Sequence, residues 1–207
     1  NGTPQLRKSV IDIYDKELSL ENVLITSGSA EANFLSIMTQ LDRGDEIVYM
    51  IPNYLQIYHL ARSLGIEVKT LPIRQELGWQ WDPDELKNMV SSNTKMIVIC
   101  NPNNPTGAIM DSQIMDKIIE IAEKNDCWIL SDEVYRGAEL NGVECRSFVG
   151  ATEKTIVNAG LSKAYSLPGL RIGWTIGSKE YIEKAWSFHD FTVINVSYIS
   201  DWIASRI

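Results

Sequence analysis

Short apolar, β-branched runs recur along the chain at residues 22–26, 46–51, 67–71, 95–100, 127–130, 155–158 and 172–176. Each has the length and composition of a strand buried on both faces. Between most of them the apolar positions return every three or four residues, at 30–41, 54–64, 83–90, 112–125 and 179–189, which predicts helices, several closed by Gly or Asn. Thr3 before Pro4 reads as an N-cap followed by proline at the first helical position, so an additional helix is expected from there through about residue 18. Strand followed by helix, repeated, means a mostly parallel sheet covered on both sides. The link from Asn158 to Arg171 is rich in Gly, Ser and Pro and is too short for a crossover helix, so the last strand is expected to run antiparallel. The chain therefore reads as a single α/β domain: a three-layer sandwich around a mostly parallel seven-stranded sheet, with the irregular stretches 74–81 and 137–148 as surface excursions.

Composition narrows the function. With 207 residues, 44% hydrophobic and 22% charged, the chain is an ordinary globular one, and its net charge of −8 with no basic cluster argues against a nucleic-acid or anionic-membrane surface. No apolar run has the length of a membrane span. Cys100, Cys127 and Cys145 are odd in number and lack metal-ligand spacing, which predicts core thiols and a cytoplasmic protein. His59 and His189 have no catalytic company and are given no role.

The ligand crevice of an open parallel sheet lies beyond the carboxyl ends of its strands, and the chemically interesting residues all come just after strands. After the first comes a small-residue turn, Thr26 to Ala32. There the backbone N–H groups of Gly28, Ser29 and Ala30 and the Ser29 hydroxyl can hold a phosphate at a helix N-terminus, or simply cap that helix. After the second, Tyr54 can stack on a heteroaromatic ring or be one more core tyrosine. After the fourth, two prolines stiffen the loop 101–107, whose Asn104 amide can reach a bound oxygen, while a rigid turn whose asparagines cap backbone is the plainer reading and is compatible with it. After the fifth, Asp132 ends in a poorly solvated place that demands a partner, either a cationic ring nitrogen or a basic side chain, and Tyr135 three residues on offers a phenol. Glu133 and Arg136 read as structural or loop-pairing charges. Last come Ser162, Lys163 and Arg171: an amine that can condense with an aldehyde, and a guanidinium fork suited to phosphate. Any one of these has a bland reading as cap, core or surface charge. Their joint occurrence points to pyridoxal 5′-phosphate (PLP).

The motifs TSGSAEA, NPNNPTG, SDEVY and SKAYSLPGLRIGW, in this order over nearly the whole chain, resemble those of the class I/II aminotransferases of the aspartate aminotransferase superfamily, PLP enzymes of fold type I. The resemblance implies Lys163 as the Schiff-base lysine, Asp132 on the pyridine nitrogen, Tyr135 and Asn104 at the 3-oxygen, and Tyr54 on the ring. Ser29, Ala30, Ser162 and Arg171 would hold the phosphate. It also implies a homodimer acting on an amino acid and a 2-oxo acid, with residues 1–207 as the PLP-binding large domain, an N-terminal segment and a smaller C-terminal domain lying outside them. Gly160 departs from the pattern, which often has a phosphate-binding serine three residues before the lysine. Lyases, decarboxylases, racemases and cyclopropane-forming synthases share this constellation, and a PLP-sensing domain of a transcription regulator is a rival of another class. A nicotinamide site is disfavoured because no GxGxxG turn comes after a strand.

Overall fold

The computed structural model describes residues 1–14 and 16–207. The seven runs form one sheet of β1 (Val23–Thr26), β2 (Glu46–Ile51), β3 (Glu67–Pro72), β4 (Thr94–Cys100), β5 (Trp128–Asp132), β6 (Thr155–Gly160) and β7 (Gly173–Ile176). Their order is β1-β7-β6-β5-β4-β2-β3. Strand β7 is antiparallel to both β1 and β6, and the other pairings are parallel. Only a 3-10 turn at Pro168–Leu170 interrupts the link into β7, so the chain reverses instead of crossing over, as expected. The remaining six strands point the same way, and their carboxyl ends share one edge.

Alternation along the strands divides the core in two. Val23 and Ile25, Val48 and Met50, and Ile97 and Ile99 face α1 (Pro4–Asp12), α4 (Pro83–Met89) and α5 (Ser112–Lys124), through Leu6, Val10, Leu86, Met115 and Ile118. Leu24, Ile47, Tyr49 and Val98 face α2 (Ser29–Gln40), α3 (Gln56–Ser63) and α6 (Lys179–His189), through Leu35, Ile57, Ala61 and Ile182. A last short helix, α7, spans Tyr198–Ala204.

Three expectations need correction. Helix α1 does reach its Thr3 cap, whose side chain accepts from the Leu6 N–H, but it ends at Asp12 instead of near 18. Tyr14 is drawn into the core, where its hydroxyl accepts from Trp174 Nε1 at 3.1 Å, and a reciprocal cap between Ser19 and Asn22 opens a separate 3-10 turn at Leu20–Asn22. Asp15, inside the expected helix, lies outside the described residues. Tyr54 precedes α3 instead of belonging to it. The excursion 74–81 is not purely superficial, because Trp81 is buried and donates from Nε1 to the Leu71 carbonyl at 3.0 Å.

Two glycines let β7 lie against the turn after β1. A Cβ on Gly173 would stand 2.4 Å from the Gly28 carbonyl carbon and 2.5 Å from the Ser29 nitrogen, both rigid backbone. A Cβ on Gly160 would stand 2.9 Å from the Gly173 Cα and from the Ile172 oxygen, so the serine usual at that position has no room here. Gly173→Ala should therefore lower the unfolding free energy in urea by about 3 kcal/mol, as overpacking against backbone does. A change below about 1 kcal/mol would show that the turn gives way easily.

Candidate functional site

At the shared edge of the sheet, a cavity of about 300 Å³ is lined by Ser29, Ala30, Tyr54, Asn104, Asp132, Tyr135, Ser162, Lys163 and Arg171. The structure thus brings together nine residues picked from five separate loops. The tenth, Gly28, sits directly beneath Arg171: a Cβ there would lie 2.3 Å from the guanidinium Nη2.

Strand β1 stops at Thr26 because Gly28 takes φ of +82° and starts α2 without a side-chain cap. The Gly28 N–H donates to the Thr26 carbonyl at 2.9 Å, contrary to expectation. The N–H groups of Ser29 and Ala30 have no acceptor among the described residues and head the positive end of α2. Arg171 joins them from a left-handed backbone position, φ of 52°. It donates to Ser162 Oγ at 3.4 Å, to the Pro168 carbonyl at 3.2 Å and to the Ser27 carbonyl at 3.4 Å. These are long bonds to neutral oxygens, and no carboxylate pairs with this guanidinium among the described residues. Exposed cation, hydroxyl and free N–H groups form an anion cradle of phosphate type.

The three asparagines of the loop after β4 divide their work. Asn101 Oδ1 accepts from the Met110 N–H at 2.9 Å, and Asn103 donates to the Pro52 carbonyl at 3.1 Å while accepting from Thr106. Both are buried braces. The Asn104 amide makes no hydrogen bond among the described residues and faces the cavity. Tyr135 stands beside it. Burial first, then the neighbouring Cys100, Asp132 and Tyr54, push its phenol up, which keeps it a donor. Tyr54 is 59% exposed at the rim, with its carbonyl held by the Tyr49 hydroxyl at 2.5 Å.

Asp132 ends β5 as a buried carboxylate, and the salt bridge that was its leading rival reading does not form among the described residues. Burial pushes this carboxyl up, countered by a donor from Asn33 at 3.0 Å and the Val134 N–H at 3.2 Å. Lys163 lines the same cavity with an exposed side chain and no acceptor for its amine among the described residues. An adjoining, mostly apolar hollow of about 490 Å³ shares Asn104 and Tyr135 but holds neither the lysine nor the arginine.

Sequence reasoning missed the residues behind the cavity wall. Glu31 accepts the Ser27 N–H at 2.6 Å on one oxygen, and on the other it meets His189 Nδ1 at 3.1 Å and the Thr192 hydroxyl. Burial alone would raise this carboxyl, but the bonds from His189, Thr192 and Ser27 outweigh it and hold it below the usual range. His189, given no role, thereby ties the end of α6 to the anion cradle. Gln56 lines the cavity and donates to the Ala30 carbonyl at 2.8 Å. Helical periodicity marks neither contact, since both are between distant segments.

Glu133 is structural, as expected, but not by pairing in a surface loop. Its Oε1 accepts from Ser131 Oγ at 3.1 Å and the Phe148 N–H at 2.9 Å, and Oε2 has no partner among the described residues. Arg136 instead pairs with Glu144 at 2.7 Å.

The sheet thus carries at one edge an anion cradle, a buried acid without a cation among the described residues and an exposed amine without an acceptor among them. The sequence model of the family described as aminotransferase class I and II matches residues 1–205, so the chain belongs to that family. It is 33% identical over 201 residues to an aspartate aminotransferase of Pyrococcus horikoshii, covering 95% of this chain and 51% of that protein. It is 30% identical over 208 residues to an aspartate/prephenate aminotransferase of Thermus thermophilus, covering 97% of this chain and 53% of that one. A solved PLP-dependent aminotransferase from Streptococcus suis superposes with a TM-score of 0.93 at 37% identity, covering 99% of this chain and 54% of that one. The chain spans about half the length of these relatives.

Burial pushes the Glu133 carboxyl up to about 7 from its usual 4.5, against smaller opposing pulls from the Phe148 N–H, Ser147, Arg136 and Ser131. Between those values the folded state holds a proton that the unfolded state has released, so stability falls as pH rises from about 4.5 to about 7. Over that window the parent should lose about 3 kcal/mol relative to Glu133→Gln, measured by urea unfolding at each pH. A constant difference across the window would show that this carboxyl titrates as an ordinary one.

Proposed function

We propose that the protein is a PLP-dependent aminotransferase that moves an amino group between an amino acid and a 2-oxo acid. The observation that carries this reading is a buried carboxylate, Asp132, in the same small cavity as the amine of Lys163, neither of them paired with an opposite charge among the described residues. Such a carboxylate suits a ligand that brings its own cationic nitrogen. The Gly28 turn supports it further, because the missing side chain there leaves space that Arg171 fills above the free N–H groups.

In this reading Arg171, Ser162 and the N–H groups of Ser29 and Ala30 bind the phosphate. Asp132 keeps the ring nitrogen protonated. Tyr135 and Asn104 would donate to the 3-oxygen, and Tyr54 would offer its ring at the rim of the cavity. Bound PLP supplies the electron sink for the pair left behind when a substrate bond at Cα is broken. Lys163 would hold the aldehyde carbon and would serve as general base toward the substrate Cα proton. The absent serine at position 160 deprives the cradle of one hydroxyl, which leaves more of the phosphate's binding to Arg171 and Ser162.

Transfer is favoured over lyase or sensor chemistry by the family match and by relatives named aspartate and aspartate/prephenate aminotransferases. A homodimer belongs to the proposal and is supported by an apolar surface on the segment after α6: Phe191 is 81% exposed, Ile194 71% and Ile199 72%. Residues 1–207 would be its cofactor-binding large domain. Cytoplasmic placement is supported by three free buried thiols. Among the described residues no helix is long and apolar enough to cross a membrane.

Borohydride treatment of the full-length protein incubated with PLP should fix the cofactor covalently on the peptide containing Lys163, read by mass spectrometry. Lys163→Ala should lose that adduct and at least about 10³-fold in amino-group transfer to a panel of 2-oxo acids, since it removes the covalent anchor and the base together. An adduct on another lysine, or an unlabelled parent, would overturn the assignment.

A further inference from the structure

Behind Asp132 lies a buried chain of polar side chains that the aminotransferase reading does not use. Asn33 on α2 donates from Nδ2 to Asp132 Oδ2 at 3.0 Å. Asn158 on β6, the register partner of Asp132, donates from Nδ2 to Asn33 Oδ1 at 2.9 Å and to Ser36 Oγ at 3.0 Å. Ser36 in turn gives its proton to the Ala32 carbonyl at 2.8 Å. The Tyr181 hydroxyl lies 3.0 Å from Ser36 and 2.7 Å from Thr175 Oγ1. All of these side chains are buried: Asn33 is 2% exposed and Asn158, Ser36 and Thr175 are 0% exposed.

With the two amides placed as they are and Ser36 donating to the Ala32 carbonyl, one consistent set of directions follows. With its proton committed to Ala32, Ser36 can only accept from Asn158 and Tyr181, and Thr175 then donates to Tyr181. Turning the Asn158 amide over would face its oxygen to the Asn33 and Ser36 oxygens. In the orientation present, Asn158 Oδ1 is left buried without a donor among the described residues. A fold tolerates an orphaned acceptor of that kind where the other end of the amide is needed. With its own oxygen occupied by Asn158, Asn33 can offer Asp132 only a donor.

We propose that Asn33 and Asn158 form a positioning relay that fixes Asp132 as a hydrogen-bond acceptor facing the cavity, set for a protonated pyridine nitrogen. The inference rests on the PLP reading above. A donor on one carboxylate oxygen favours the charged form, and the Val134 N–H on the other stops rotation, so the acid meets the ring nitrogen with a defined direction. Asn33 also borders the cavity, whereas Asn158 is fully buried and reaches the cavity only through Asn33 and Asp132.

The test compares PLP with a carbocyclic analogue that keeps the aldehyde, phosphate and 3-oxygen but has C–H in place of the ring nitrogen. Dissociation constants for both are measured by fluorescence titration on the full-length apoprotein of parent, Asn33→Leu and Asn158→Ser. Bound PLP labelled with ¹⁵N on the ring is measured by NMR in each. In the parent, PLP should bind at least about 10-fold more tightly than the analogue, with the ring nitrogen in the protonated range. In Asn33→Leu, PLP affinity should fall about 10-fold while analogue affinity stays within about 2-fold, and the nitrogen signal should move toward the unprotonated range. Asn158→Ser should do the same to a smaller degree, and it decides the matter if Asn33→Leu does not fold. Equal losses for both ligands, or an unshifted nitrogen signal, would reduce the asparagines to packing and overturn the relay. A parent that itself fails to distinguish the ligands would instead overturn the pairing of Asp132 with the ring.

Discussion

A carboxylate buried without a cation is an unfavourable thing for a fold to hold, and the arrangement of this protein depends on how Asp132 is held. It ends β5, the central strand of the sheet, with β4 and β6 on either side. Strand pairing fixes its backbone, an N–H two residues on takes one oxygen, and an amide from α2 takes the other. The helix that supplies this amide is the same one whose free N-terminal N–H groups head the anion cradle. One rigid helix therefore both contacts the acid and heads the cradle, while Ser162 and Arg171 join the cradle from the link between β6 and β7.

That coupling explains why close packing of β7 matters beyond stability. Gly173 and Gly160 let two backbones approach so that β7 presses on the turn before α2. A larger residue at either place would shift the start of α2, and with it Ser29, Ala30 and the Asn33 contact to Asp132. Glu31 pins the same turn from the opposite side, through Ser27, His189 and Thr192. The first turn of α2 is thus clamped by backbone on one side and by a shared carboxylate on the other.

Strand ends are legible in the sequence because strands announce themselves as apolar runs, and the residues just past each run must sit at the edge of the sheet. Ser29, Tyr54, Asn104, Asp132 and Lys163 can therefore be picked out from chain order alone. Asn33, Asn158, Glu31 and His189 cannot, for one shared reason. They lie inside helices and strands whose periodicity marks only which face is apolar, and their partners are far away in sequence, as with Asn33 and Asp132, 99 positions apart. A buried asparagine in the middle of a strand, such as Asn158 among Ile156, Val157 and Ala159, is the one signal the sequence holds. The early end of α1 is hidden in the same way, because it is Trp174, far along the chain, that takes Tyr14.

Burial is distributed across the cavity according to what each group must do. In the proposed roles, an acid that pairs with a ring nitrogen would gain from being fixed and dry, and Asp132 is both. An amine that must first hold a carbon and then carry a proton has to move, and Lys163 is exposed and unbonded among the described residues. Arg171 is exposed too, yet it works in a cradle that includes backbone N–H groups and a helix terminus, which do not move or titrate. If the roles were exchanged, with a buried lysine and an exposed aspartate, the amine would lose its charge to desolvation and the acid would be screened by water. The placement of one charge at the end of a central strand and the other in an open loop therefore suits the proposed chemistry, and the order of the strands sets it.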